Sequence, residues 1–193
     1  MRQIETIYQT ELEYLKDAIK NSTNSYHTFT LSSINGVYPE SRTIVLRGLD
    51  LDPLRICFNA DYRSPKVQQL ESNPFCSTLF YDRKRRIQLR FKCKAELHYQ
   101  NDISRDIWRN TALQSRKCYM GPHSPSKLLD TWHPNIPLEY LKTDPDLEHS
   151  KEGYVNFVYI RLQVIESDIL ELHHDGHIRF KVKGDNKLIF VSP

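Results

Sequence analysis

Residues 41–70, SRTIVLRGLDLDPLRICFNADYRSPKVQQL, place Arg42, Arg47, Arg55, Arg63 and Lys66 between a strand-like run and a helix start. Ser64 and Pro65 form that start, Ser as N-cap and Pro at the first helical position. The spacing predicts a helix through Val67 and Leu70 that stops at Asn73-Pro74. The first N–H groups of such a helix find no partner within it. Arg63 and Lys66 sit at this positive end, where each cation is unfavourable by roughly 0.3–1 kcal/mol unless an anion lies between them. The segment therefore reads as a phosphate-holding helix start.

The chain around it has 193 residues, 39% hydrophobic and 11% aromatic, enough for one packed domain over 1–193. Its 27 basic and 24 acidic side chains give a net charge of +3, too small for a general pull on nucleic acid. Cys57, Cys76, Cys93 and Cys118 show no CxxC spacing and fall mostly in apolar runs, as expected of reduced, buried thiols in a cytoplasmic protein. No apolar run approaches the roughly 18 residues of a membrane span, and MRQIETIYQTELEYLKDAIK has no signal-peptide core. The expected partners exclude nucleic acid and membrane.

Residues 1–20 carry Ile4, Ile7, Leu12, Leu15 and Ile19 among charges, an amphipathic helix. From His27 the pattern turns to short β-rich runs: HTFTLSSI, RTIVLRGL, LRICFN, FCSTLFY, IQLRFKCKAELHY, YVNFVYIRLQVIES, HIRFKV and LIFV. Two further helices are expected, at 64–72 and about 101–113. Residues 114–152 read as a long loop excursion, rich in Pro, Ser, His and acids, of the kind that covers a site. Strands dominate, so the expected fold is mainly β with flanking helices: an antiparallel barrel of six to eight strands. GxGxxG and GxxxxGK[ST] loops are absent.

The order S-R-T-I-V-L-R-G, F-N-x-D-x-R-S-x-K, N-P and Q-L-R, followed by HIRF at 177–180 and a closing LIFVSP, resembles the pyridoxamine 5'-phosphate oxidase-like, FMN-binding split-barrel family over nearly the whole chain. The resemblance implies a split barrel and an FMN cofactor, with two sites formed in a homodimer. Arg42, Arg63, Ser64 and Lys66 would surround the FMN phosphate. Thr43, Ile44, Val45 and Leu46 would lie along the cofactor with Arg47. The Arg47 cation near the flavin pyrimidine edge would stabilise the reduced anionic ring. Phe58 and Asn59 would meet the ribityl chain and phosphate, Gln88 the pyrimidine edge. Arg179 would reach the flavin across the subunit interface, with His177 toward the substrate. No metal is implied, and His173, His174 and His177 read as exposed imidazoles around an Asp175-Gly176 hairpin.

No single catalytic residue is expected, although Arg47 and His177 are candidates. Arg42 and Arg47 are an odd number of residues apart, so an ideal strand points them to opposite faces unless it bulges near Gly48. For substrate, the family's phosphate-binding Arg falls on Thr111 and its late Arg on Asp175, an anion where an anion should bind. DIWRNTALQSRKCY offers Trp108, Arg109, Ser115 and Arg116 instead, and R-x-x-Y at 116–119 looks like the family's oxidase-related branch. The implied activity is hydride or electron transfer between FMN and an unidentified small substrate. A true pyridoxamine 5'-phosphate oxidase and a non-catalytic FMN- or haem-binding module stay open beside it. The tetrad Arg83, Lys84, Arg85 and Arg86 reads as a charged hairpin turn, since no aromatic stacking platform accompanies it.

Overall fold

The computed structural model describes residues 2–183 and 187–193, apart from the side chain of Arg2. Helix α1 (Arg2–Ala18) is followed by strands β1 (Thr28–Asn35), β2 (Tyr38–Val45), β3 (Gly48–Leu51) and β4 (Leu54–Asp61), then helix α2 (Pro65–Ser72). Strands β5 (Phe75–Asp82) and β6 (Ile87–Tyr99) lead to helices α3 (Asp102–Asn110) and α4 (Leu113–Arg116). After α5 (Leu147–Ser150) come β7 (Phe157–Glu171), β8 (Ile178–Lys183) and β9 (Lys187–Phe190). The fold is the expected mainly antiparallel β sheet with flanking helices, and the sheet is not closed. No helix among the described residues is long and apolar enough to cross a membrane.

Nine strands occur among the described residues, one more than the upper expectation. The extra strand comes from the run at 42–49, which is broken between Val45 and Gly48. The physical cause is a change of partner within two residues. Leu46 N–H still donates to His27 O beside β1 (2.9 Å), whereas Arg47 N–H donates to Cys57 O of β4 (2.9 Å). The strand order β2-β1-β5-β6-β7-β4-β3 has β2 and β3 at opposite ends, so Leu46–Arg47 joins the two ends of an open sheet. The parity argument separating Arg42 from Arg47 therefore loses its premise, because they do not share one regular strand.

The chain forms two compact units, and their boundaries fall within β4, β6 and β7 or beside α2. The first comprises residues 1–58, 73–96 and 161–193. Alternation builds its interior: in β6 Ile87, Leu89, Phe91, Cys93 and Ala95 turn inward, while Arg90, Lys92 and Lys94 face out. Phe29 stacks on Phe80 with ring centroids 4.9 Å apart, and Phe80 meets Tyr26 and Phe91 edge-on at 5.7 and 5.9 Å. Cys57 and Cys93 are buried thiols, Cys76 is half-buried and Cys118 is exposed.

The second unit comprises residues 59–72 and 97–160. Helix α3 begins with a capping box in which Asn101 accepts from Ser104 N–H and the Ser104 side chain answers to the Asn101 backbone. Trp108 of α3 packs on Phe157, centroids 5.1 Å apart, and Tyr62 stacks on Tyr99 at 3.7 Å. The excursion at 114–152 contains α4, α5 and short 3-10 turns. It is fastened by Asn135, whose side-chain amide accepts from His123 N–H (3.0 Å) and donates to His123 O (2.9 Å).

Candidate functional site

In the second unit the helix start forms as the sequence demands. Helix α2 begins at Pro65, and Ser64 O accepts from Val67 N–H at 3.0 Å. Ser64 is fully buried, and its hydroxyl accepts from Lys66 Nζ at 3.2 Å. A buried hydroxyl and an ammonium are thus paired at the first turn.

Arg63 is anchored by a group the sequence reading missed. Its Nε and Nη2 donate to the two carboxylate oxygens of Asp61 at 3.0 and 2.7 Å, and Nη2 also donates to Gly121 O at 3.0 Å. Asp61 is buried and additionally accepts from Arg63 N–H at 2.9 Å. The bond to Asp61 holds the guanidinium pKa above its ordinary value, against the effect of burial. Part of the anion demanded by cations at this helix end is therefore internal, supplied by Asp61. The signal was present as Asp61-Tyr62-Arg63, but its use depends on the guanidinium turning back two residues.

Asn59 precedes this cluster on the same unit, and its buried Oδ1 has no hydrogen-bond partner. An orphan buried acceptor is costly, by about 1–3 kcal/mol, unless a donor meets it. A ribityl hydroxyl is such a donor, so the donor and acceptor set at 59–66 fits the ribityl phosphate of FMN.

In the first unit, Arg42 donates to Ser33 Oγ (2.5 Å) and Glu40 (3.2 Å). Thr43 is exposed and Val45 half-buried, whereas the Ile44, Leu46 and Phe58 side chains are buried in the interior, so only their backbone is available to a ligand. Arg47 is exposed, Gln88 is half-buried, and neither side chain makes a hydrogen bond or ion pair among the described residues. Arg179 lies on β8 and chelates Asp168 through Nε (3.1 Å) and Nη2 (2.9 Å), raising its pKa by that hydrogen bond. Arg90 joins the same carboxylate at 2.9 Å. His177 is exposed in the β7–β8 hairpin, where its Nδ1 accepts from His173 N–H at 3.2 Å and Gly176 takes φ 121°.

Of the substrate candidates in the second unit, Trp108 is buried and Ser115 half-buried with no side-chain bond. Arg116 is buried, and its three bonded nitrogens serve the fold: Nε to Thr111 O (3.0 Å), Nη2 to Arg109 O (3.0 Å) and Nη1 to Ser150 Oγ (2.9 Å). It thus caps the C-terminus of α3. Arg109 is exposed and paired with Asp106. No cluster of His, Cys, Asp and Glu able to hold a metal occurs among the described residues.

Comparison with known proteins bears out the resemblance. Residues 10–99 match the family model of the pyridoxamine 5'-phosphate oxidase, FMN-binding domain. Pyridoxine/pyridoxamine 5'-phosphate oxidases of Legionella pneumophila strains Lens and Paris are 28% identical over 92 residues, 46% of this chain. The chain spans 42% of the length of these curated relatives. A pyridoxamine 5'-phosphate oxidase-related, FMN binding protein from Nostoc punctiforme superposes with a TM-score of 0.70 at 21% identity, covering 96% of both chains. PhzG from Burkholderia lata, solved with tetrahydrophenazine-1-carboxylic acid, gives a TM-score of 0.70 at 17% identity over 97% of this chain and 91% of its own. Both structural likenesses establish the fold.

Proposed function

We propose that this chain, whose residues 10–99 match an FMN-binding domain, is an FMN-dependent oxidoreductase of the pyridoxamine 5'-phosphate oxidase-like family acting on a small substrate. The observation that carries the reading is the helix start inside that match: buried Ser64 paired with Lys66, Arg63 braced by Asp61, and the orphan Asn59 oxygen one turn of chain earlier. Lys66 and the first N–H groups of α2 would hold the phosphate dianion. Asp61 keeps Arg63 charged and fixed in direction, so binding the phosphate need not freeze a mobile side chain.

Arg42, Thr43, Ile44, Val45, Leu46, Arg47, Phe58, Gln88 and Arg179 are carried over from the resemblance as further cofactor contacts. Arg47 and Gln88 support this best, because their polar heads have no partner to give up. When bound, FMN supplies the two-electron chemistry. The protein positions the reactants and places the Arg47 charge. A homodimer is part of the proposal through Arg179.

Titration of FMN-free protein with FMN, followed by quenching of flavin fluorescence, tests it. Wild type should bind stoichiometrically, and Lys66→Ala should weaken binding at least tenfold. Arg83→Ala with Lys84→Ala, in the β5–β6 turn, should leave it unchanged. Wild-type protein that rejects FMN would sink the reading.

A further inference from the structure

We infer that the second unit holds a separate binding site for a small monocarboxylate with an apolar body, in a cavity of about 650 Å³ lined by Trp108, Arg116, Leu147 and Tyr154 together with the cations Arg105, Arg109 and Lys151 and the carboxylate Glu148. The volume lies within the range of small-molecule pockets, about 300–1,000 Å³. None of these side chains belongs to the proposed FMN set, and Ser115, the remaining substrate candidate of this segment, does not line the cavity.

Charge identifies the ligand class. The rim cations Arg105, Arg109 and Lys151 each have a carboxylate three residues away, in Asp102, Asp106 and Glu148. Arg116 differs, because it is 4% exposed and no carboxylate among the described residues reaches it. The backbone carbonyls at the end of α3 compensate only a partial charge. A buried cation without a counter-ion is costly, and an anion placed beside it recovers that cost.

Donor geometry points the same way. A guanidinium has five N–H groups, and Arg116 makes three hydrogen bonds, to Thr111 O, Ser150 Oγ and Arg109 O. Its remaining two N–H groups are matched to no acceptor. Its Cζ lies 5.1 Å from the centroid of Trp108, whose buried Nε1–H also has no partner. A guanidinium with two unused donors, set over the ring of a tryptophan, suits a planar carboxylate, and the indole, Leu147 and Tyr154 supply apolar walls for the rest of the molecule.

Gly153 leaves room for the Trp108 indole, since an added Cβ would lie 3.0 Å from Met120 Cγ, 3.1 Å from the indole Cη2 and 3.2 Å from Arg116 O.

Benzoate is the probe, with neutral benzamide as its isostere. The full chain has two tryptophans, and Trp132 is 86% exposed, so Trp132→Phe leaves Trp108 as the sole reporter. In FMN-free protein at constant ionic strength, benzoate should change Trp108 fluorescence saturably, and benzamide should bind at least tenfold more weakly. Arg116→Gln should reduce benzoate affinity at least tenfold while FMN binding persists. Arg109→Ala with Lys151→Ala, which leaves the α3 cap in place, should reduce benzoate affinity about threefold or more even if Arg116→Gln does not fold. Absence of saturation by benzoate, equal binding of benzamide, or unchanged affinity in the rim pair overturns the inference. FMN titration of the same protein separates its failure from failure of the flavin reading.

Discussion

Arg85 grips Glu11 across 74 residues of chain, its Nη1 and Nη2 each donating to one carboxylate oxygen at 2.5 and 3.0 Å. The same guanidinium donates through Nε to Asp82 (2.7 Å) and lies 3.7 Å from the ring centroid of Tyr14. Tyr26, fully buried, completes the cluster by donating to Glu11 at 2.5 Å. One member of the basic tetrad is thus a clamp between α1 and the β5–β6 turn.

Removing that clamp strands a carboxylate that is 3% exposed. Arg85→Ala should therefore cost about 3 kcal/mol in urea unfolding, within the range for breaking a buried pair. Arg83→Ala, in an exposed position of the same turn, should cost less than about 0.5 kcal/mol. Equal effects of the two substitutions would contradict a clamp.

Acid should unfold the protein through these carboxylates. Burial alone would raise the pKa of Asp82 and Asp168, but hydrogen bonds from Arg85, and from Arg179 and Arg90, outweigh it and leave both below their ordinary value. Glu166 is lowered chiefly by its hydrogen bond from Lys181. A folded pKa below the unfolded one stabilises at pH above the unfolded value, and the gain is lost as pH falls through the folded value. Urea midpoints should thus be held by these groups at pH 5 and above and decline below about pH 4. Asp168→Asn should shrink that decline. A variant with the wild-type acid profile would count against the assignment.

Gly121 should not tolerate a side chain. A Cβ there would lie 2.2 Å from Asn135 O, within the backbone of the excursion, and Gly121 O is itself the acceptor for Arg63. Gly121→Ala should cost about 1–3 kcal/mol, or roughly 2–12 °C in thermal melting at about 2–4 °C per kcal/mol. Gly36, where an added Cβ meets nothing within 4 Å but φ is +60°, offers a comparison in which backbone strain acts alone.

Gln88 should separate binding from stability. Its amide has no partner among the described residues, so Gln88→Ala should change unfolding free energy by less than about 0.5 kcal/mol. FMN affinity should fall about tenfold, as expected for one or two lost hydrogen bonds. Equilibrium unfolding and flavin titration on one preparation give both numbers. A loss of stability with unchanged affinity would place Gln88 in the fold and not at the cofactor.

Much of the architecture was legible because it is encoded locally. Alternation from Ile87 to Tyr99 specifies β6 to the residue, and Ser64-Pro65 with Asn73-Pro74 brackets α2, since side-chain period and proline geometry act within a few residues. The motif order likewise pointed to the family whose FMN-binding domain model matches residues 10–99. The partners of the cations were not legible. That Asp168 holds Arg179, Glu11 holds Arg85 and Ser150 holds Arg116 depends on groups brought close by the sheet and by the excursion. A charge in the sequence carries no record of its distance to other charges. Sequence alone determined where α1, α2 and most of the strands form and which cofactor family the chain resembles. Tertiary structure decided which cations are already neutralised and which donors are left for a ligand, because Coulomb and hydrogen-bond energies depend on ångström separations that only the folded chain sets.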